Sequence, residues 1–447
     1  MSIYRNSIWG LFFLVIGATC SFAQPKSNSP YSRLGLGDIF NQNFAHINGM
    51  GDLAASFHDP YTINLLNPAS YATLRTTAFE VGIHAKYGNL ESNTTNSSEE
   101  IWSGNLSYFA LGFPLRNPLN DILDRKKRKF DFGMVFALLP YSTVGYNVET
   151  DEFLPGADTI SFSFEGTGGS YRILWGNAVK WKNLSFGVNL SYLFGKLNND
   201  RLVTFPNLSA SYRDELHDEV RVNGLLWNVG FQYDIIFQKQ KADGSSEPTG
   251  KFLTLGLYGN GPNSFNTRSL SLYRRVNLAY QDLDTLRNTE NISGDGQLPA
   301  EIALGAIYGK ANKWKVGADF QAAFWDGYEN DAKEDDLSNT FRFAVGGEYI
   351  PDIISYNSYW KRIRYRFGAF AARDPRSDFL NEQLTNVGIT LGLGFPIILP
   401  RQQKSFLNLA LELGRFGSNN ELQETYARMT LGFTLNDDTW FFKRKFN

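Results

Sequence analysis

From residue 76 to residue 436 the chain repeats one local pattern, stretches of about ten residues or more in which apolar side chains take every second position. The clearest places Leu184, Phe186, Val188, Leu190, Tyr192 and Phe194 on one face and Ser185, Gly187, Asn189 and Ser191 on the other. Val387, Ile389, Leu391, Leu393 and Phe395 alternate in the same way with Asn386, Gly388, Thr390, Gly392 and Gly394. The last stretch sets Met429, Leu431, Phe433 and Leu435 against Arg428, Thr430, Gly432 and Thr434. A period of two sends successive side chains to opposite faces of a strand, so each stretch reads as a strand with one apolar face and one small or polar face. Such stretches fall at 76–90, 102–113, 129–148, 160–181, 184–197, 219–237, 251–272, 297–309, 313–326, 338–350, 362–374, 383–395, 404–416 and 423–436.

A sandwich core and a membrane barrel both produce this alternation. Length and composition choose between them. The strands match a tilted membrane crossing, and Trp181, Tyr192, Trp325 and Tyr349 stand at strand ends, where barrels carry aromatic girdles. Aromatic residues make up 15% of the 447 residues, yet the mean hydropathy is only −0.29 and no window is apolar enough for a membrane helix. The remaining membrane solution is a closed all-β barrel, in which every backbone group is paired between strands. An even number of strands returns both ends of the strand set to one side, and the N-terminus and C-terminus are both expected in the periplasm. Tight turns at Lys182-Asn183 and Ala311-Asn312 belong to the periplasmic end; the long polar links 198–218, 273–296 and 327–337 belong outside. The link 114–128, with Arg125-Lys126-Lys127-Arg128, reads as a solvated periplasmic charge run.

Residues 1–23 read as a secretion signal. Arg5 precedes an apolar run from Ile8 to Ala18, and Ser21-Phe22-Ala23 offers small residues ahead of Gln24. A lipoprotein signal on Cys20 is disfavoured by Gly17, which stands where a large aliphatic side chain is wanted. Cleavage before Gln24 removes the single cysteine and with it any disulfide framework or thiolate chemistry. A net charge of −2 argues against nucleic acid as a partner. The implied location is the outer membrane of a Gram-negative cell, with outer-membrane lipid as a partner.

Residues 24–74 break the pattern. Gly35, Gly37, Gly49 and Gly51 divide the segment into short pieces, and it closes on Asn67-Pro68-Ala69, after which the alternation begins. A barrel of fourteen strands encloses more space than its wall side chains fill, so this segment is expected to plug the lumen. Glycines at Gly187, Gly256, Gly305, Gly317, Gly388 and Gly392 face inward, as close approach of another backbone to the wall would require. Arg33 and Asp38 are expected to hold the plug through polar contacts with wall residues such as Glu80 or Arg428, and Asn67 through hydrogen bonds at the turn into the first strand.

On these residues the chain resembles the FadL family of outer-membrane transporters for fatty acids and other hydrophobic molecules. The resemblance covers nearly all of residues 24–436, and Tyr31-Ser32-Arg33-Leu34-Gly35-Leu36-Gly37 is similar to a Bacteroidota branch of that family. It implies a barrel of about fourteen strands (75–436) and an N-terminal hatch containing Asn67, Pro68 and Ala69. It also implies a kinked third strand that opens the wall sideways. Pro140 and Tyr141 fall in the matching strand, and a proline lacks the donor that a ladder needs.

Chemistry finds no support. The histidines His46, His58, His84 and His217 show no metal-ligand spacing, and no serine sits in a nucleophile elbow. The acidic run Glu329, Asp331, Glu334, Asp335 and Asp336 lacks the glycine and spacing of a calcium loop. No enzyme activity, cofactor or metal is therefore expected. Two functions stay open: passive uptake of a hydrophobic small molecule with lateral exit near Pro140, and a non-transporting barrel that joins other outer-membrane or periplasmic proteins in a secretion or assembly complex. The tail 437–447, with Trp440, Phe441 and Phe442 followed by Lys443, Arg444 and Lys445, suits either a membrane-interface anchor or a docking extension.

Overall fold

The computed structural model describes residues 29–92, 97–116, 120, 125, 129–155, 158–208, 211–240, 246–277, 280, 282–378, 380–398, 403–418, 420 and 422–440. The expected signal (1–23), Lys126, Lys127 and Arg128 of the charge run, and residues 441–447 of the tail lie outside them.

The strands follow the chain in order. They are β1 (Asp38–Ile39), β2 (Thr77–Ser92), β3 (Ser97–Pro114), β4 (Phe130–Leu154), β5 (Asp158–Trp181), β6 (Leu184–Thr204), β7 (Arg213–Gln240), β8 (Ser246–Asn260) and β9 (Asn263–Asn277). They continue with β10 (Asp282–Leu298), β11 (Glu301–Lys310), β12 (Trp314–Ala323), β13 (Glu329–Asn330), β14 (Thr340–Tyr349), β15 (Arg364–Ser377), β16 (Gln383–Ile398), β17 (Lys404–Gly417) and β18 (Leu422–Asp437). Neighbours pair antiparallel in one sheet, and β18 closes on β2 from Leu422↔Ser92 to Asp437↔Thr77.

The wall has fourteen strands. β8 and β9 form one of them, interrupted at Gly261-Pro262, and β10 and β11 form the next, interrupted at Pro299-Ala300, so the two proline breaks face each other at one level. Two stretches expected as loops are paired strands. Residues 198–204 continue β6, and 273–296 is mostly the β9–β10 hairpin, which pairs along the upper half of β7. Polar residues on both faces there erase the two-residue apolar signal without ending the ladder. The short-turn end also carries the long connection 350–363, with a turn of helix at Tyr359–Arg362.

Residues 29–74 lie inside the barrel. Phe44, Ile47, Met50, Leu53, Phe57, Ile63, Leu65 and Tyr71 are almost wholly buried, against inward residues such as Tyr108, Val135, Leu174, Tyr258 and Ala303. One end differs from expectation. Ser29 donates to the Gly145 carbonyl in the long-loop half of β4 (2.8 Å), and Tyr31 packs with Leu384, Phe416 and Tyr426, whereas Thr77 and Asp437 sit at the short-turn end. The described chain therefore enters the lumen at the long-loop end and runs its length before the first wall strand, one traverse that counting wall strands leaves out.

Candidate functional site

The turn from hatch to wall is built on Asn67. Pro68 restricts the residue before it to extended backbone, and Asn67 sits at φ −106°, ψ 100° as the N-cap of the short helix Pro68–Thr73. Its Oδ1 accepts from the Ala69 amide (3.1 Å). Its Nδ2 donates to the Ala55 carbonyl (2.5 Å) and reaches the wall carbonyls of Phe231 (3.3 Å) and Leu257 (3.4 Å). Asn67 thus ties one piece of hatch, a second piece and two strands together.

The hatch lies backbone to backbone on the wall. A methyl group added at Gly256 would stand 1.9 Å from the Ala55 carbonyl oxygen, and one at Gly133 1.9 Å from that of Tyr71. Gly187 meets Pro68, Gly346 meets Met50, and Gly392 meets Gly49. These contacts lie on β4, β6, β8, β14 and β16, so the plug touches the wall on all sides. Not every inward glycine belongs to this set: the atoms nearest Gly317 and Gly388 are those of the wall, and Gly305 meets the Asp319 carboxylate as well as Ala55.

Polar side chains from the wall bind the hatch between these contacts. Arg342 pairs with Asp52 (2.6 Å) and Arg364 with Asp59 (2.8 Å). Asp319 accepts from the Ala55 amide (2.7 Å), Glu80 from the Ile63 amide (2.6 Å) and Thr390 from the Gly51 amide (2.8 Å). Asn189 donates to the Leu65 carbonyl (3.0 Å). Arg33 and Asp38 find partners other than the expected Glu80 and Arg428. Asp38 pairs with Arg376 (2.5 Å), which also donates to the Tyr31 carbonyl (3.0 Å), while Arg428 turns to Glu412 (3.4 Å). Arg33 takes no carboxylate among the described residues; its guanidinium lies over the Phe164 ring (5.1 Å) and its carbonyl accepts from Lys333. Both residues lie near the long-loop end, and Glu80, close to the start of β2, belongs to the other end.

The residues that grip the hatch were mostly missed from sequence. Their signal is a charge at an inward position of an otherwise apolar strand: Asp319 between Ala318 and Phe320, Arg364 and Arg366 flanking Tyr365, Arg342 between Phe341 and Phe343. Arg366 instead bonds Glu348 (2.7 Å) and Asn408 (2.8 Å) within the wall.

The third wall strand is continuous but loses one neighbour. β4 pairs with β5 along its whole length, with a single bulge at Tyr141 next to Pro140. Against β3 it pairs only from Phe109↔Leu138 to Pro114↔Gly133. Beyond that point the hatch takes over. β1 adds to β4 as Asp38↔Thr143 and Ile39↔Ser142, and the Phe40 amide donates to the Tyr141 carbonyl (2.9 Å). Tyr141 borders a lumenal cavity of about 370 Å³ whose lining is mixed, with Leu34, Leu66 and Leu226 beside Arg172, Glu301 and Arg428. The tail starts by folding back over the wall, where Trp440 stacks on Phe113 with centroids 6.1 Å apart.

The architecture is similar to that of solved transporters. The toluene transporter TbuX of Ralstonia pickettii matches with a TM-score of 0.53 and 13% identity, over 88% of this chain and 98% of that one. The toluene transporter TodX of Pseudomonas putida matches with a TM-score of 0.53 and 15% identity, over 88% and 98%. A Pseudomonas aeruginosa FadL homologue gives a TM-score of 0.52 and 12% identity over 90% and 99%. At these identities the likeness concerns the FadL-type fold. No curated protein matches the chain in sequence. Residues 6–447, nearly the full length, match one sequence family, and the chain belongs to the BamG family.

Proposed function

We propose that this protein is an outer-membrane barrel whose hatch seals the lumen, and that it serves as a subunit of a complex that assembles or secretes outer-membrane proteins. The carrying observation is the fit of the hatch: its backbone rests on wall glycines around the barrel, and ion pairs to the buried carboxylates of Asp52 and Asp59 fix it. A conduit needs a plug that moves; this one is held like a core. The name BamG suggests membership of a complex and supports the same reading. The apolar belt of the wall, with exposed Leu190, Trp227, Phe343, Ile389 and Leu391, suits outer-membrane lipid.

Passive uptake of a hydrophobic small molecule, such as a fatty acid, is the second reading. It is favoured by the parting of β3 and β4 beside Pro140 and the cavity at Tyr141, and by the fold shared with the toluene transporters. Tagged protein purified from native membranes in mild detergent separates the two. The subunit reading expects another envelope protein to co-elute in near-stoichiometric amount and to survive dilution. Elution as a lone barrel, together with loss of hydrophobic-probe uptake in cells lacking the protein, would establish transport instead.

A further inference from the structure

We propose that the free edge of β3 is a docking site for a β-strand of a partner polypeptide, an amphipathic membrane-spanning strand of another barrel. The inference deepens the subunit reading and rests on it.

Ser98–Tyr108 of β3 pair with β2 on one side. On the other side, among the described residues, no strand joins them, because the ladder to β4 stops at Phe109↔Leu138. Exposed Trp102 (58%) and Leu106 (43%) alternate with buried Ser103 and Ser107, the pattern that turns apolar side chains to lipid along the rest of the wall. This edge therefore runs through hydrocarbon for part of its length, where an unpaired backbone group costs several kcal/mol. An apolar ligand or acyl chain has no donors or acceptors and leaves that cost in place. A strand removes it.

The opposite lip of the same seam already binds a strand in this way. β1 of the hatch pairs with Ser142 and Thr143 of β4, and the Ser29 amide donates to Gly145 (2.8 Å). The seam is thus wedged open from inside with one lip satisfied and the other left. Two bulges splay it: Ser107 is the extra residue of β3 against β2, and Tyr141 that of β4 against β5. Within the open edge the Leu106 amide turns onto Asn105 Oδ1 (2.8 Å), while Asn105 Nδ2 is buried with no hydrogen-bond partner. An added strand would bring it a carbonyl, with apolar side chains outward beside Trp102 and Leu106 and small ones inward beside Ser103 and Ser107.

The probe is a biotinylated synthetic peptide with the sequence of β18, Leu422–Asp437, an alternating wall strand of this class. The full-length protein in lipid nanodiscs carries a photoreactive side chain in place of Leu106, of Trp102 as a second seam position, or of Ile389 on β16, four strands away. Docking predicts saturable crosslinking at Leu106 and Trp102 at least tenfold above Ile389, and its loss with a peptide of equal composition whose alternation is scrambled. Equal labelling at all three positions, equal labelling by the scrambled peptide, or adducts with lipid alone would overturn the docking site. Co-purification of a partner without seam crosslinking would also overturn it and leave the subunit reading standing. Seam crosslinking by a protein that purifies alone would keep the strand-binding edge and remove the subunit reading.

Discussion

Asn67 shows how much one side chain carries in this lumen. Its amide group serves as helix cap, as cross-brace to Ala55 and as contact to two wall strands. Asn67→Ala removes a cap and leaves the Ala55 carbonyl without this donor, an expected loss of about 2 kcal/mol in hatch docking. Protease added to the purified protein should cut the variant between residues 29 and 74 faster than wild type, with heat-modifiable gel migration of the barrel unchanged; equal cleavage rates would refute that role. His46 offers a pH test. It lies 3.7 Å from Glu80, an ion-pair distance were the ring charged, but both ring nitrogens are buried without hydrogen-bond partners. Burial, helped by the Arg366 charge, holds its proton affinity well below the ordinary value of 6.5, so the docked ring is neutral. An undocked hatch would let it titrate normally and bind the extra proton, so docking keeps its full stability above the ordinary value and loses it as pH falls below. Hatch proteolysis by an acid-tolerant protease should rise about tenfold between about pH 7.5 and pH 5.5, and His46→Leu should flatten that dependence.

At the scale of elements the seam between β3 and β4 decides most. Pro140 stands two residues past the last β3–β4 pair and supplies no donor, and the bulge at Tyr141 follows directly. Restoring a donor with Pro140→Val is expected to extend the β3–β4 ladder past Leu138. Hydrogen exchange would report it as slower exchange of the Ser107 and Tyr108 amides by an order of magnitude or more. Unchanged exchange would show that the hatch strand, and not the missing donor, keeps the strands apart. The variant also bears on transport, since a zipped seam with an intact lumen should lower uptake of a hydrophobic probe if the seam is its exit.

For the whole molecule the question is whether the barrel conducts. Arg364 and Asp59 form a pair buried on both sides, and taking away one member of such a pair typically costs about 3 to 5 kcal/mol. Arg364→Met is therefore expected to loosen the hatch, and planar-bilayer recordings should show conductance steps that wild type lacks. Adding Asp59→Asn should quieten them by removing the stranded charge. Frequent conductance by wild type would contradict a sealed lumen.

The strand set, its approximate count and the plug were legible in the sequence, for a physical reason: each wall strand meets lipid on one face and lumen on the other, so local alternation records the global environment residue by residue. Inward glycines at Gly187, Gly256 and Gly392 likewise announced a close backbone. Three matters were decided only by tertiary structure. Which cation meets which hatch carboxylate depends on strands far apart in sequence, so that Asp38 finds Arg376 across 338 positions and not Arg428. The end at which the hatch starts depends on its path through the lumen, which no periodicity encodes. And Pro140 marked a weak point without saying what fills it: the sequence holds the missing donor, while the loss of β3 and the arrival of β1 on the same edge follow from the hatch being folded inside the barrel.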